Sequence, residues 1–237
     1  MQISPQELAR VAAAEAPRFD MYTGIHKALR AFMADTLVAV GRMDPVDPAE
    51  VADITGRVLQ LLGFCASHLE HENRFVHAAI EARAAGASDV IAHEHEEHRR
   101  HIAALAELVG ILQTATDVQR HALATTLYRE LALFAAENFR HMHVEETAHN
   151  AVLWARYTDA ELVAVHDALV ASIPPDEMMA ISRWLLPFMN PLERFHVVAD
   201  MRAKAPGPAF EAMLQGVRPY LAPRDWDKLS RDLGLPA

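Results

Sequence analysis

The sequence predicts an all-α protein, an up-down-up-down four-helix bundle with an additional C-terminal segment of short helices. Ala, Leu, Glu and Arg dominate the composition, and only 9 of the 237 residues are glycine, which favours helix. Apolar residues recur at intervals of three and four over long stretches, as on the buried face of a helix. Because no stretch alternates apolar and polar residues over a strand's length, we expect no sheet.

Helix-start signals divide the first two thirds of the chain. Ser4 as N-cap, with Pro5 and Glu7 behind it, predicts a short N-terminal helix. Asp47 followed by Pro48 begins another helix in the same way. Four long helices are predicted with approximate bounds of 19–42, 48–84, 88–113 and 117–156. Because their connections are short, sequential helices should run antiparallel.

Beyond Tyr157 the pattern changes, since prolines interrupt every apolar stretch: Pro174, Pro175, Pro187, Pro191, Pro206, Pro208, Pro219 and Pro223. Helix starts at Thr158 and Asn190, each followed three residues later by Glu, predict short helices between them. We therefore divide the chain into a bundle with its N-terminal helix, residues 1–156, and a helical C-terminal extension, residues 157–237.

Composition excludes several classes of function. The formal charge of −10 argues against nucleic acid or an anionic membrane as the main partner. A single cysteine, Cys65, excludes an internal disulfide framework and Cys-rich metal sites. No apolar run reaches the length of roughly 18 residues that a membrane span needs. Because the N-terminus also lacks the apolar region of a signal peptide, we expect a cytoplasmic protein.

Histidines and glutamates occupy the apolar stripes of all four long helices. Helical periodicity predicts that seven of them face the interior: His26 in the first helix, His68 and Glu72 in the second, His95 and His98 in the third, and His141 and Glu145 in the fourth. Burying an isolated charged group costs several kcal/mol, roughly, unless another group compensates it. Their convergence on four helices therefore predicts a shared site.

A metal centre explains these buried groups best. Imidazoles and carboxylates without thiolates suit iron, manganese or zinc, and two carboxylates from different helices can each bridge two metals. The alternative is a bundle whose core histidines are only hydrogen-bonded. The His-x3-Glu spacing is not specific by itself, because His77 and Glu81, and His93 and Glu97, repeat it.

The set of residues resembles the signature of the hemerythrin-like (HHE cation-binding) family over residues 19–156. The motif stands here as His26, "HLEHE" with His68 and Glu72, "EHEEH" with His95, and "HMHVE" with His141 and Glu145. The resemblance implies a non-haem di-iron centre bridged by Glu72 and Glu145. It also implies that His26 and His68 bind one iron, and His95 and His141 the other.

Two positions depart from the oxygen-carrying members of that family. Arg99 stands four residues after His95, where those members have a second histidine, and Glu146 stands where they have an aspartate. His98 is therefore either a further ligand or a hydrogen-bond partner of the ligands. His71 and Tyr22 lie near the inner stripe, with packing as the simpler interpretation. His101 lies at the border of the inner stripe, and five other bundle histidines are predicted to be solvated: His77, His93, His121, His143 and His149.

The resemblance implies that two iron ions, or manganese or zinc in their place, bind, sense or react with dioxygen, nitric oxide or peroxide. Binding or sensing is favoured over enzymatic turnover, which would need a redox partner. The alternative is a metal-stabilised helical interaction or regulatory protein. In that case residues 157–237 would dock a protein partner, with Trp184, Trp226 and Phe188 as candidate contacts.

Overall fold

A computed structural model describes residues 18–235, and over this range the chain is helical and contains no strand. The all-α prediction is therefore confirmed. The short helix predicted at Ser4 lies outside the described residues. Helix starts follow the predicted caps, because Asp47 accepts hydrogen bonds from the backbone of Ala49 and Glu50, and Thr158 and Asn190 each begin a capping box.

Four long helices make up the bundle, close to the predicted bounds. The first is α1, Thr23–Arg42. The second comprises α2, Pro48–His71, a π-helical segment, Glu72–His77, and α3, Ala78–Arg83. The third is α4, Asp89–Thr114. The fourth comprises α5, Asp117–Val144, a second π-helical segment, Glu145–His149, and α6, Asn150–Arg156.

The four helices form a closed ring around one core. The first packs against the second and the fourth, and the third packs against the second and the fourth, as expected of an up-down-up-down bundle. Apolar side chains fill the end of the bundle beyond the histidines, among them Leu61, Leu105 and Phe134. A smaller cluster around Tyr22, Ile80 and Leu153 fills the opposite end. The polar residues of the predicted site lie between these two clusters.

The two π segments keep both ends of their helices in contact with the core. Leu61 and Ile80 are nineteen residues apart, as are Phe134 and Leu153. At 3.6 residues per turn, such a pair would point about 100° apart around an α-helix. A π segment widens one turn to i→i+5 hydrogen bonds and so accommodates an extra residue. All four side chains are consequently buried.

The extension consists of short helices, as predicted: α7, Asp159–Ala171, α8, Pro175–Leu185, α9, Pro191–Lys204, α10, Gly207–Val217, and α11, Pro223–Leu233. It has its own apolar cluster, which includes Val198 and Leu214. Helix α8 packs on α1, where Trp184 stacks on Phe32 at 4.1 Å between ring centroids. Within residues 18–235 no helix is both long and apolar enough to cross a bilayer.

Candidate metal centre

Two carboxylates occupy the centre of the bundle. Glu72 and Glu145 are the first residues of the two π segments, and both are almost completely buried. Each follows by four residues a histidine of the same helix, His68 and His141. The widened turns therefore begin where the predicted bridging residues lie, and π segments of this kind are frequent at functional sites.

The two oxygens of Glu72 face different imidazoles. Its Oε1 atom lies 3.2 Å from His68 Nε2 and 3.6 Å from His26 Nε2. Its Oε2 atom lies 3.6 Å from His95 Nε2. The Glu72 carboxylate therefore connects histidines of the first and second helices with a histidine of the third.

Glu145 repeats this division from the opposite side of the bundle. Its Oε2 atom lies 3.5 Å from His26 Nε2. Its Oε1 atom lies 3.6 Å from His95 Nε2 and 3.4 Å from His141 Nε2. The Nε2 atoms of His95 and His141 are themselves 3.0 Å apart. The site thus has two halves. One combines His95 and His141 with an oxygen of each carboxylate, and the other combines His26 and His68 with Glu72 Oε1, while Glu145 Oε2 lies beside His26.

These distances, from 3.0 to 3.6 Å, are close to the spacing between ligand atoms of a bound metal ion. Ligand atoms about 2.1 Å from one metal, at angles between 90° and 109°, lie about 3.0 to 3.4 Å from one another. No group within residues 18–235 hydrogen-bonds to either oxygen of Glu72 or Glu145, or to Nε2 of His26 and His68. Unpaired polar atoms this deeply buried are costly. The residues present therefore suit a metal-binding site.

Hydrogen bonds at the far ring nitrogens fix three of these imidazoles. His26 Nδ1 lies 3.1 Å from Glu146 Oε1, and His141 Nδ1 lies 2.8 Å from Glu94 Oε2. His95 Nδ1 lies 2.8 Å from an amide oxygen, Asn73 Oδ1. Partners of this kind orient the ring and direct its Nε2 lone pair at a metal. Glu146, which stands where the oxygen-carrying members have an aspartate, thus hydrogen-bonds to His26 and does not lie in the group formed by Glu72 and Glu145.

Without a metal, protons balance the charge of the site. Burial by itself lowers the pKa of His26, but the carboxylates of Glu146 and Glu72 raise that pKa to about 9. Burial likewise opposes protonation of His141, whereas Glu145 and Glu94 raise its pKa to about 8. The protonated imidazoles carry the positive charge that a metal ion would otherwise bring, since metals and protons compete for the same nitrogens.

Two histidines predicted to be solvated are instead part of the site. His77 and His149 are 5% and 3% exposed, and each lies in a π segment, after Glu72 and Glu145 respectively. A ring nitrogen of His77, a ring nitrogen of His149 and an oxygen of Glu145 all lie within 4.8 Å of one another. The prediction was wrong because it assumed one uninterrupted α-helical periodicity, which the widened turns shift.

The other predicted residues occupy less central positions. His98 is buried with its ring 4.6 Å from that of His141, edge to face, and the structure does not bring it into a group with the carboxylates. His71 lies beside Ser67, with 3.2 Å between Nδ1 and Oγ. Tyr22 is buried, and its hydroxyl lies 3.1 Å from His149 Nδ1. The predicted exposure is confirmed for the other three of the five histidines expected to be solvated: His93, His121 and His143.

Comparison with known proteins identifies this bundle. The family model described as the hemerythrin HHE cation binding domain matches residues 19–149, a range that includes all the residues of the candidate centre. No curated protein and no solved structure matches the chain. Because the match covers more than half of the sequence, the chain belongs to the hemerythrin HHE cation-binding family.

Proposed function

We propose that the chain holds two iron ions in its bundle and uses them to bind, sense or react with dioxygen, nitric oxide or peroxide. One observation carries the metal part of this proposal: the four oxygens of Glu72 and Glu145 divide between two pairs of imidazoles. His26 and His68 would bind one ion, and His95 and His141 the other. His98 would support the second pair as a hydrogen-bond partner or a further ligand.

Iron is proposed from the family and from the ligand types, which manganese and zinc would also accept. When bound, two ferrous ions would supply two electrons for the reduction of a small oxidant such as peroxide. The protein's part is to keep the pair of metals in a dry, apolar surrounding and to hold its ligands in place. Leu61 and Phe134, both completely buried, supply part of that surrounding.

His77, His149 and Tyr22 mark the side on which a small ligand would meet the protein. Burial, together with the neighbouring charge of His95, lowers the pKa of His77 to about 4, and burial also lowers the pKa of His149. Both rings are therefore neutral at pH 7. With the Tyr22 hydroxyl as donor to Nδ1, the proton of His149 resides on Nε2, where it can be donated to a bound oxygen or nitrogen atom.

The alternative, an interaction protein whose extension docks a partner, stays a prediction. Two of the three aromatic residues considered for docking pack within the chain, because Trp184 stacks on Phe32 and Trp226 packs on the apolar cluster of the extension. Phe188 is more exposed. The packing of the extension on the bundle supports a role beside the metal centre instead.

Metal content tests the proposal directly. Protein loaded with ferrous iron without oxygen should contain two ions per chain, and air should then produce ferric absorption in the near ultraviolet. Glu72→Ala should hold fewer than two ions, whereas Glu70→Ala, an exposed neighbour on the same helix, should still hold two. A wild-type chain that binds no iron would refute the proposal, and two ions in Glu72→Ala would refute the bridging assignment.

The small ligand is identified by titration of the ferrous protein. Dioxygen or nitric oxide should bind in proportion to the iron present and change the visible spectrum, and peroxide should oxidise the iron. Sustained consumption of peroxide or nitric oxide in the presence of an electron donor would indicate an enzyme. Saturable and reversible binding without consumption would indicate a carrier or a sensor.

A further inference from the structure

The two halves of the candidate centre follow one plan. The histidine of the first helix, His26, is held by Glu146, the residue directly after one bridging carboxylate. The histidine of the third helix, His95, is held by Asn73, the residue directly after the other. The centre therefore has approximate twofold symmetry, and any position at which the halves differ is informative.

The symmetry fails beside His68. Glu94, directly before the histidine of the third helix, holds His141 at 2.8 Å. The matching residue of the first helix is Ile25, which offers no polar group to the matching histidine, His68. Ile25 and His68 instead line a cavity between the bundle and the extension. In one half of the centre a carboxylate, Glu94, thus contacts the histidine His141. In the other half the matching histidine, His68, borders a mainly apolar cavity.

This cavity has a volume of about 470 Å³. It reaches Glu72 and His68 at the bundle, and helices α7, α8 and α9 of the extension form its outer wall. Aliphatic and sulfur-containing side chains dominate the lining, among them Met21, Ile25, Val170, Met178, Leu185 and Met201. The extension therefore covers a partly open space that leads to one edge of the candidate metal centre.

The volume is much larger than a diatomic ligand needs. A cavity of about 150 Å³ accepts a molecule as large as benzene, and this one is about three times that size. Pockets of about 300 to 1,000 Å³ with mainly apolar walls and a few polar groups are typical of sites for small organic molecules. Dioxygen, nitric oxide and peroxide do not account for this space.

The charged groups of the lining favour an uncharged occupant. Lys204 is paired with Asp167 at 2.6 Å and with Asp200 at 3.0 Å, so its charge is already neutralised. Among the described residues that line the cavity, Lys204 is the one lysine, and no arginine is present. Nearer the metal centre, Ser67 donates a hydrogen bond to the carboxylate of Glu177. An anionic ligand would meet five carboxylates, and the described part of the lining offers it no unpaired lysine or arginine. A cationic ligand would gain little, because each carboxylate already has a partner: Asp20 contacts Thr23, Glu72 contacts His68, Glu177 contacts Ser67, and Asp167 and Asp200 contact Lys204.

We propose that this cavity binds an uncharged, apolar organic molecule beside the half of the centre formed by His26 and His68. The occupant is larger than benzene and has an aromatic or long aliphatic body. Binding itself depends on the lining residues alone. Only its position beside a metal rests on the proposed function.

Fluorescence of N-phenyl-1-naphthylamine, which is uncharged and brightens in apolar surroundings, tests the binding. We expect one molecule per full-length chain, bound at least tenfold more tightly than 8-anilino-1-naphthalenesulfonate, which has the same rings and an added negative charge. Long-chain alcohols such as 1-decanol should displace the probe. Absence of binding, or equal or tighter binding of the sulfonate, would overturn the proposal.

Two substitutions locate the probe. A Cβ at Gly24, which lines the cavity, would make an ordinary contact with Met189 Cε at 3.4 Å, so Gly24→Leu places a larger side chain at the cavity wall. Gly110→Leu, at a helical glycine with no neighbour within 4 Å, is the matched control. Gly24→Leu should weaken the probe at least tenfold while Gly110→Leu leaves it unchanged. Val170→Trp, on the opposite wall, should reproduce the loss, and wild-type affinity in both cavity variants would refute the location.

Fluorine NMR separates this proposal from the di-iron proposal. Bound 4-fluorobiphenyl should relax faster in protein loaded with manganese, which is paramagnetic, than in protein loaded with zinc. Equal relaxation in the two metal-loaded forms would refute the position beside the centre. If the chain bound no metal, the proposed function would fail, whereas probe binding that Gly24→Leu weakens would still support the cavity site.

Discussion

Glu94 offers a test of one half of the metal centre alone. Its carboxylate lies 2.8 Å from His141 Nδ1, and it does not take part in the groups of residues that could hold a metal. Glu94→Ala therefore removes a support of one imidazole and leaves every proposed ligand in place. Because Ile25 occupies the matching position, the other half of the centre has no equivalent support to lose.

The expected magnitude follows from the role of such a contact. Loss of a group that orients a metal-bound histidine weakens metal binding about 10-fold to 100-fold, or about 1.4 to 2.8 kcal/mol. His141 is almost completely buried, so water cannot readily replace the lost partner. We expect the weakening at the ion bound by His95 and His141, and little change at the ion bound by His26 and His68.

An anaerobic titration with ferrous iron against a coloured chelator measures both affinities. Wild type and Glu97→Ala, an exposed residue on the same helix, should bind two ions with similar affinity. Glu94→Ala should bind one ion as before and the second 10-fold to 100-fold more weakly. Equal weakening of both ions, or no weakening, would refute the assignment of Glu94 to one half of the centre.

Two further predictions concern stability. Phe134→Ala, at a completely buried side chain, should lower the free energy of unfolding by about 3 to 5 kcal/mol. The control Phe139→Ala, at a side chain 37% exposed on the same helix, should change that free energy by less than about 1 kcal/mol. Similar losses for the two variants in denaturant unfolding would contradict this prediction. Hydrogen bonds from Gly86 and Ser88 hold the pKa of Glu81 at about 2, below its ordinary value of 4.5. The ionised Glu81 carboxylate therefore contributes to the stability of the fold above pH 4.5, and this contribution is lost as pH falls towards 2. The stability difference between wild type and Glu81→Gln should therefore shrink between pH 6 and pH 3, and a constant difference would contradict the role of the ionised carboxylate.

The fold was predictable because local signals agreed with the tertiary structure. Periodicity showed the four long helices, and the caps at Asp47, Thr158 and Asn190 lie where the sequence placed them. Prolines correctly predicted the short helices of the extension. The cavity was not predictable, since its walls depend on how the extension packs on the bundle, and no local pattern encodes that packing.

The candidate site was only partly predictable. Residues that precede or begin the π segments, such as His68 and Glu72, follow ordinary α-helical periodicity from the apolar core, so the sequence predicted that they face the interior, where the structure places them. His77 and His149 follow the start of a widened turn, and their phase is therefore shifted. The nineteen-residue spacing from Leu61 to Ile80 was the available signal, because two buried residues at that spacing are out of phase in an uninterrupted α-helix.

The widened turns make the chemistry of this bundle separable from its architecture. A π segment inserts one residue locally and leaves the helix on either side in its original orientation. Loss of a single residue between Glu72 and His77 would restore a plain α-helix, with Leu61 and Ile80 still packed in their cores. Glu72 would stay in phase with the helix before the segment and His77 with the helix after it. The deletion would remove or displace the residues between them, including Asn73, the hydrogen-bond partner of His95. A one-codon deletion would thus change how the His95 imidazole is held while leaving both apolar cores of the bundle in place.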